Sequence, residues 1–410
     1  MEVMQKNKTI LCIATLDTKG PEAFYIKGLI EKRGHKVLVL DIGSFENSPF
    51  PADITSDEIA KEAGSSIEQV RKIEMAGQAA EIMTSGAIKK VKELYDSRKI
   101  NGVIAIGGGV GSSVASAVMR ELPIGFPKFL LSSQKIVQSG IRGYVGSKDI
   151  GIMPSVADIA GLNRLTKSAL KNAAGAIVGM VEFSEEEETY LKPLVSMSML
   201  GSTTGCGLEV KSSLEEKGFE VVVFHSIGVG GKTLEEVMMS YPVQGVIELC
   251  LNEIGNELFG GMASAGPNRL EAAGAKGIPQ IIVPGHVRYC QFLGPETVPD
   301  KYKTRNLIYH HPQGTAVPLN SDEMAVVAKT IALKLNRAKG KVKVLIPLNG
   351  FSAWDVKGTK SYDAEGERMF IESLKNNLNP SIPVHEIEAH INDHKFSQEV
   401  VQEFLKSIGQ

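Results

Sequence analysis

The chain has 410 residues, more than one hydrophobic core usually serves, so two domains are expected. Its 43% apolar and 6% aromatic content, with 42 glycines, excludes disordered and fibrous classes and suits an α/β protein. A formal charge of −2 with scattered Lys and Arg gives no sign of a nucleic-acid face. No apolar run approaches the ~18 residues of a membrane span, and Met1 to Lys8 lacks the apolar core of a signal peptide. Cys12, Cys206, Cys250 and Cys290 show no CxxC spacing, so reduced thiols and a cytoplasmic location are expected.

In chain order, Thr9 to Ala14 reads as a short apolar strand. Pro21 to Arg33 follows as an amphipathic helix with proline in its first turn, then Lys36 to Ile42 as a second strand. Asp57 to Arg98 is expected to be mostly helical. A strand at Val103 to Ile106, a helix at Ser112 to Glu121 and a strand at Lys128 to Leu131 complete a doubly wound pattern. The acidic run Glu185 to Glu188 marks a boundary between residues 1–185 and 190–410. After it the same grammar restarts: strand Leu194 to Leu200, glycine turn 201–207, helix Leu208 to Lys217 and strand Val221 to Phe224. The expected fold is two Rossmann-like doubly wound domains, their mainly parallel sheets facing across a cleft, with ligands at the carboxyl ends of strands.

The most informative stretch is GVIAIGGGVGSS at 102–113. Gly107, Gly108, Gly109 and Gly111 leave backbone amides uncovered, and Ser112 and Ser113 lie at the start of a helix. Such a terminus accepts a phosphate or carboxylate through its dipole and unpaired N–H groups. The turn is not the dinucleotide fingerprint, because Ser112 stands where that pattern needs its third glycine. In TLDTKGPE at 15–22, Asp17, Thr18 and Lys19 follow the first strand, where Lys19 would neutralise phosphate and Asp17 would order Mg²⁺ through water. Asp41 ends the second strand, a position suited to ribose hydroxyls.

HSIGVGGKTLEE at 225–236 looks like a phosphate loop, but Ser226 replaces a required glycine. Thr233 is expected to cap a helix there, with Gly228 to Gly231 as a flexible loop. Cys206 at a helix start is a candidate nucleophile, against the commoner buried thiol. The second half holds His225, His286, His310, His311, His385, His390 and His394. With Glu253 and Asp355 they are candidates for acid, base or metal ligand, and His286, Glu253 and His310 are the catalytic candidates.

Six segments, ATLDTKG, AIGGGVGSS, MLGSTTGCG, PGHV, PLNGFSAWD and HINDHKF, in this order resemble the family of the N-terminal region of the tomato mosaic virus replication-inhibitor (resistance) protein and its microbial relatives. The resemblance spans the chain and implies two Rossmann-like domains, ATP binding in the first and a homodimer. The plant protein continues into a barrel-like region that microbes often carry as a separate protein, which implies a barrel-domain partner and a metabolic role. The leading expectation is a cytoplasmic ATP- or nucleotide-binding protein, a metabolic enzyme acting on an acidic small molecule, with Mg²⁺ beside ATP and neither nucleic acid nor membrane as partner. Alternatives are a nucleotide-sensing module without turnover, and a metal-dependent hydrolase or lyase using the second-half histidines.

Overall fold

The computed structural model describes residues 7–133, 135–184, 192–359 and 361–410, without the side chains of Lys135, Ser139, His310 and His311. The acidic run at 185–188 lies outside the described residues. The chain divides into two compact units, Met1–Glu188 and Thr189–Gln410.

The first unit carries strands β1 (Thr9–Ala14), β2 (Lys36–Asp41), β3 (Gly102–Gly107), β4 (Lys128–Ser132) and β5 (Gly151–Pro154). They form one sheet in the order β2-β1-β3-β4-β5, parallel throughout. A parallel sheet covered on both faces needs apolar residues at successive positions, and β1 supplies them. Leu11 and Ile13 join the core under the helices Ala76–Asp96 and Gly109–Arg120. Ile10, Cys12 and Ala14 join the core under Leu16–Glu31 and Arg164–Phe183.

The second unit repeats the plan with β6 (Leu194–Met199), β7 (Glu220–His225), β8 (Val243–Cys250), β9 (Gln280–Gly285), β10 (Tyr289–Phe292), β11 (Ile308–His311), β12 (Gly314–Pro318), β13 (Val342–Pro347) and β14 (Val384–Ile387). Its main sheet runs β14-β13-β9-β8-β6-β7, all parallel, and a small antiparallel sheet runs β10-β12-β11. Counted from its own first strand the order is 2-1-3-4-5-6, the first unit's order with one strand added. The expected α/β class, with two Rossmann-like parallel-sheet domains, is thus the observed one.

Several boundaries differ from expectation for local reasons. The helical region after Asp57 is split into Ser56–Glu62, Ile67–Arg71 and Ala76–Asp96, because Gly64 at φ +78° ends the first piece and a Ser66–Gln69 capping box starts the second. The helix expected from Ser112 begins at Gly109, and that expected from Leu208 begins at Thr204 after a 3₁₀ turn at Gly201–Thr203. The first helix, Leu16–Glu31, is interrupted at Lys19 (φ −128°, ψ 18°), two residues before Pro21, so its regular part starts with the proline.

The glycine turn after β3 contains two different kinds of glycine. A Cβ on Gly107 would lie 2.4 Å from the Ser112 amide nitrogen, whereas one on Gly108 would meet nothing within 4 Å. Gly107→Ala is therefore expected to destabilise the first unit by about 1–3 kcal/mol, and Gly108→Ala by less than about 1 kcal/mol. Urea unfolding of both variants checks the contrast, and equal losses would contradict it.

Candidate functional site

In the first unit, the loops after β1 and β3 leave adjacent strands towards opposite faces, because the strand order reverses between them. A crevice is the geometric result, and ligands of open α/β sheets bind there. A cavity of about 360 Å³ occupies it. Asp17, Thr18 and Lys19 line it from one side, Gly108 and Gly111 from the start of the Gly109–Arg120 helix, and Arg71 and Glu74 from a third. The first intrahelical bond there is Ser112 N to Gly108 O at 3.0 Å, so the amides of Gly109, Val110 and Gly111 precede the helix's own ladder. The remaining wall is apolar and includes Phe45, Ile73, Ala79 and Met83.

Not every residue expected here faces the cavity. Gly107 and Ser112 are buried, and the Ser112 hydroxyl donates to Gly107 O at 3.0 Å and pairs with Ser132 Oγ at 2.8 Å, which ties the helix to the sheet. Ser113 is exposed on the helix. Asp41 is buried, and its Oδ1 accepts from Leu16 N at 2.9 Å and Gly43 N at 2.8 Å. Burial pushes its carboxyl above the ordinary range, while those two amides pull it back. Asp41 therefore braces the loops after β1 and β2, and it is not among the residues that line the cavity. Asp17 Oδ2 accepts from Phe45 N at 2.9 Å, but its buried Oδ1 has no partner among the described residues. Arg71 was missed from sequence because it comes from the remote Ile67–Arg71 helix. Its terminal nitrogens donate to Asn47 Oδ1 (2.8 Å) and Glu46 O (3.0 Å), and its buried Nε has no partner among the described residues.

In the second unit a helix start that follows β7, the second strand of that unit, is already occupied. The helix Val229–Ser240 begins where a flexible loop was expected, with Gly228 at φ +91°. Its anion is internal: Glu253 Oε1 accepts from Gly228 N at 2.7 Å and Gly231 N at 3.1 Å. Glu253 Oε2 accepts from Arg269 Nε at 2.6 Å, and the same fully buried guanidinium meets Glu248 at 2.5 and 2.6 Å and Glu235 at 3.0 Å. Burial raises the carboxyls of Glu253 and Glu235, and Arg269 opposes it. Gly231 must be glycine, since a Cβ would lie 1.9 Å from Glu253 Oε2. Glu253 is thus a structural cap rather than a free acid, base or ligand. Lys232 is exposed, and the Thr233 hydroxyl donates to Val229 O at 2.9 Å instead of capping.

Four of the six sequence motifs meet at the carboxyl ends of β6, β9, β13 and β14. His286 follows β9 and is 2% exposed. Its Nδ1 lies 2.8 Å from Ser202 Oγ, and its ring packs against Tyr289 and Trp354 at centroid distances of 4.8 and 4.7 Å. Its backbone has φ +55°, a left-handed conformation costing a non-glycine residue about 1–2 kcal/mol. Asp355 accepts from Tyr289 Oη at 2.5 Å and Ser352 Oγ at 2.7 Å. Burial raises the Asp355 carboxyl, against those donors and Arg288. His390 Nε2 lies 2.9 Å from Ser352 O, and its Nδ1 accepts from Asn392 N at 3.1 Å. Asn392 Nδ2 in turn donates to Ser202 O at 2.9 Å.

Of the other second-unit histidines, those whose side chains are described do not join them. His225 and His385 are exposed, and His394 pairs with Glu209. His310 and His311 lie on β11, and their side chains are outside the described residues. Among the described residues, one group has metal-ligand spacing, His385 with Glu399 and Glu403, and it includes neither His286 nor Glu253. Cys206 is fully buried and its thiol is pushed up to about 12 by burial, the commoner of the two readings of a cysteine at a helix start.

A two-unit α/β protein with parallel sheets, an open crevice in one unit and a packed polar cluster in the other is the class that fold and sites define. The chain belongs to the uncharacterised protein family UPF0261, whose N-terminal domain matches residues 8–186 and whose C-terminal domain matches residues 192–408. It is 40% identical over 392 residues to a UPF0261 protein of Clostridium tetani, covering 95% of this chain and 96% of that one. It is 30% identical over 434 residues to the ToMV resistance protein Tm-1(GCR237) of Solanum lycopersicum, covering 99% of this chain and 57% of that protein. The resemblance read from the six motifs therefore holds at the level of the family. A Streptomyces glycosyltransferase, SsfS6 in complex with thymidine diphosphate, is similar at 14% identity over 97% of this chain and 100% of that one, with a TM-score of 0.22. Among the described residues, no helix is long and apolar enough to cross a membrane.

Glu367 adds a measurable property to the Asp355 region. Burial, then the Asp355 charge, pushes its carboxyl up to about 8 from an ordinary 4.5. A raised folded-state value favours the fold fully below about 4.5, and that contribution is lost as pH rises through about 8. The melting temperature is expected to fall across this window and to fall less steeply in Glu367→Gln. Identical slopes in calorimetry would contradict the assignment.

Proposed function

We propose that the chain is an ATP- or nucleotide-binding protein whose phosphates occupy the crevice between the loops after β1 and β3, in the service of a metabolic reaction on an acidic small molecule. The observation that carries this reading is the open start of the Gly109–Arg120 helix in a cavity that Lys19 and Arg71 also line. The helix terminus contributes about 0.3–2 kcal/mol to holding an anion, and each charge-assisted hydrogen bond about 1.5–3 kcal/mol. Phe45, Ile73 and Met83 offer a base an apolar wall. The residues fit Mg²⁺ as well, since Asp17 Oδ1 is a buried acceptor without a protein partner among the described residues. Bound there, the ion would supply charge compensation to the phosphates through its water shell. Four free, buried cysteines support placing the protein in the reducing cytoplasm. A homodimer and a separate barrel-domain partner complete the reading through the family resemblance.

ATP with Mg²⁺ at 100 times its dissociation constant should stabilise the fold by about 2.7 kcal/mol. Gly108→Val has room for its side chain, keeps the fold by circular dichroism and covers the donor amides, so the thermal shift should vanish. An unchanged shift in the folded variant would move the phosphate site elsewhere.

Lys232→Ala should leave ATP affinity as it is, because the amides beside Lys232 are already given to Glu253. A loss of ~100-fold, about 2.7 kcal/mol, would instead make 225–236 a working phosphate loop.

A further inference from the structure

We propose that Ser202 and His286 form a nucleophile–base pair for acyl transfer from a carboxylic ester, a second site separate from the nucleotide crevice of the first unit. Ser202 stands on the turn between β6 and the Thr204–Glu216 helix, at the carboxyl end of the strand where the second sheet reverses its order. That is the edge where ligands of such sheets are met. The serine backbone is held from two sides, its carbonyl accepting from Ala353 N and Asn392 Nδ2, each at 2.9 Å. Its hydroxyl is turned to His286 Nδ1 at 2.8 Å, within the reach a base needs to take the proton.

The imidazole is placed with equal firmness. Its amide donates to Phe351 O at 3.0 Å, its ring packs against both Tyr289 and Trp354, which also touch each other, and its backbone keeps a left-handed conformation that glycine would adopt without strain. A non-glycine residue in so strained a conformation points to a role for its side chain. Tyr289, which packs on the ring, donates to Asp355, and Ser352 donates to the same carboxyl, so Asp355 is fixed by two hydroxyls.

In the step this geometry supports, Ser202 Oγ attacks the acyl carbon while its proton passes to His286 Nδ1. The carbon–oxygen bond to the leaving alcohol breaks, and His286 returns the proton to the alkoxide. Water then attacks acyl-Ser202 by the same proton route, releasing the acid and restoring the serine. Nothing is oxidised or reduced. The amino-terminal end of the Thr204–Glu216 helix adds positive potential beside the developing oxyanion.

The test treats the 410-residue chain, without nucleotide, with a fluorophosphonate probe and maps the adduct by peptide mass spectrometry. Modification of Ser202, lost in Ser202→Ala, is expected, together with a burst of about one nitrophenolate per chain from p-nitrophenyl acetate. His286→Asn, which tolerates the left-handed backbone, should slow labelling ~100-fold or more with its circular dichroism unchanged. An unmodified wild-type protein, an adduct at another residue, or wild-type labelling of a folded His286→Asn would each overturn the proposal. Should His286→Asn fail to fold, the wild-type adduct map and burst decide alone. The outcome is independent of the ATP thermal shift, so failure of one reading leaves the other standing.

Discussion

Reversal of strand order at one point in each sheet is the constraint from which the rest of this structure follows. Where β3 follows beside β1, and β8 beside β6, the connections leave towards opposite faces, and no helix can cover the carboxyl ends between them. A helix start and a gap are therefore forced into the same place. The amides at a helix start need an acceptor, and the two units differ in whether the chain provides its own. In the first unit the amides at Gly109 to Gly111 open on a cavity. In the second, Glu253, in the first turn of the helix Asn252–Phe259 that follows β8, takes the amides of Gly228 and Gly231 at the start of the helix after β7.

That internal solution has electrostatic consequences. A carboxylate removed from water needs compensation, and Arg269 supplies it to three glutamates at once. Glu235 in turn accepts the amides of Leu270 and Ala272 at 2.6 and 2.7 Å, so the cluster also fixes the segment that carries the arginine. The network is closed on itself, and for that reason it offers nothing to a ligand. It moves the reactive geometry of the second unit to the turns after β6, β9 and β13, where Ser202, His286 and Asp355 collect.

The fold was legible because parallel sheets advertise themselves in apolar runs such as TILCIA and GVIAIG, each followed by glycine and a helix. The doubled plan was legible for the same reason, in the matched spacing of two strand–turn–helix units. The site was legible only in part. Gly108 sits directly after β3 and Lys19 at the start of the helix that follows β1, so their place at the crevice follows from topology, whereas Arg71 reaches it from a five-residue helix whose packing no local pattern announces. Asp41 and Glu253 misled for a common cause: a carboxylate at the end of a strand or the start of a helix has the same sequence signature whether it meets a ligand or a backbone amide. Burial separates the two cases, and it is a property of the packed chain.

The GSTTGCG turn shows how finely that distinction is drawn. It offers two nucleophile side chains four residues apart, Ser202 and Cys206, and helix-start chemistry alone favours the thiol. Helical phase decides otherwise. Cys206, Val210 and Leu214 fall at intervals of four on the buried stripe of the Thr204–Glu216 helix, within the core that also holds Ile247, Ile281 and Phe396. The sulfur therefore lies in apolar surroundings that keep it protonated. Ser202 precedes the regular helix, in the 3₁₀ turn, and escapes that stripe, so its hydroxyl is directed to the imidazole rather than into the core. One turn of chain thus sets an inert thiol and a hydrogen-bonded hydroxyl side by side. The difference between them comes from where the 3₁₀ turn gives way to the α-helix, not from the chemistry of either group.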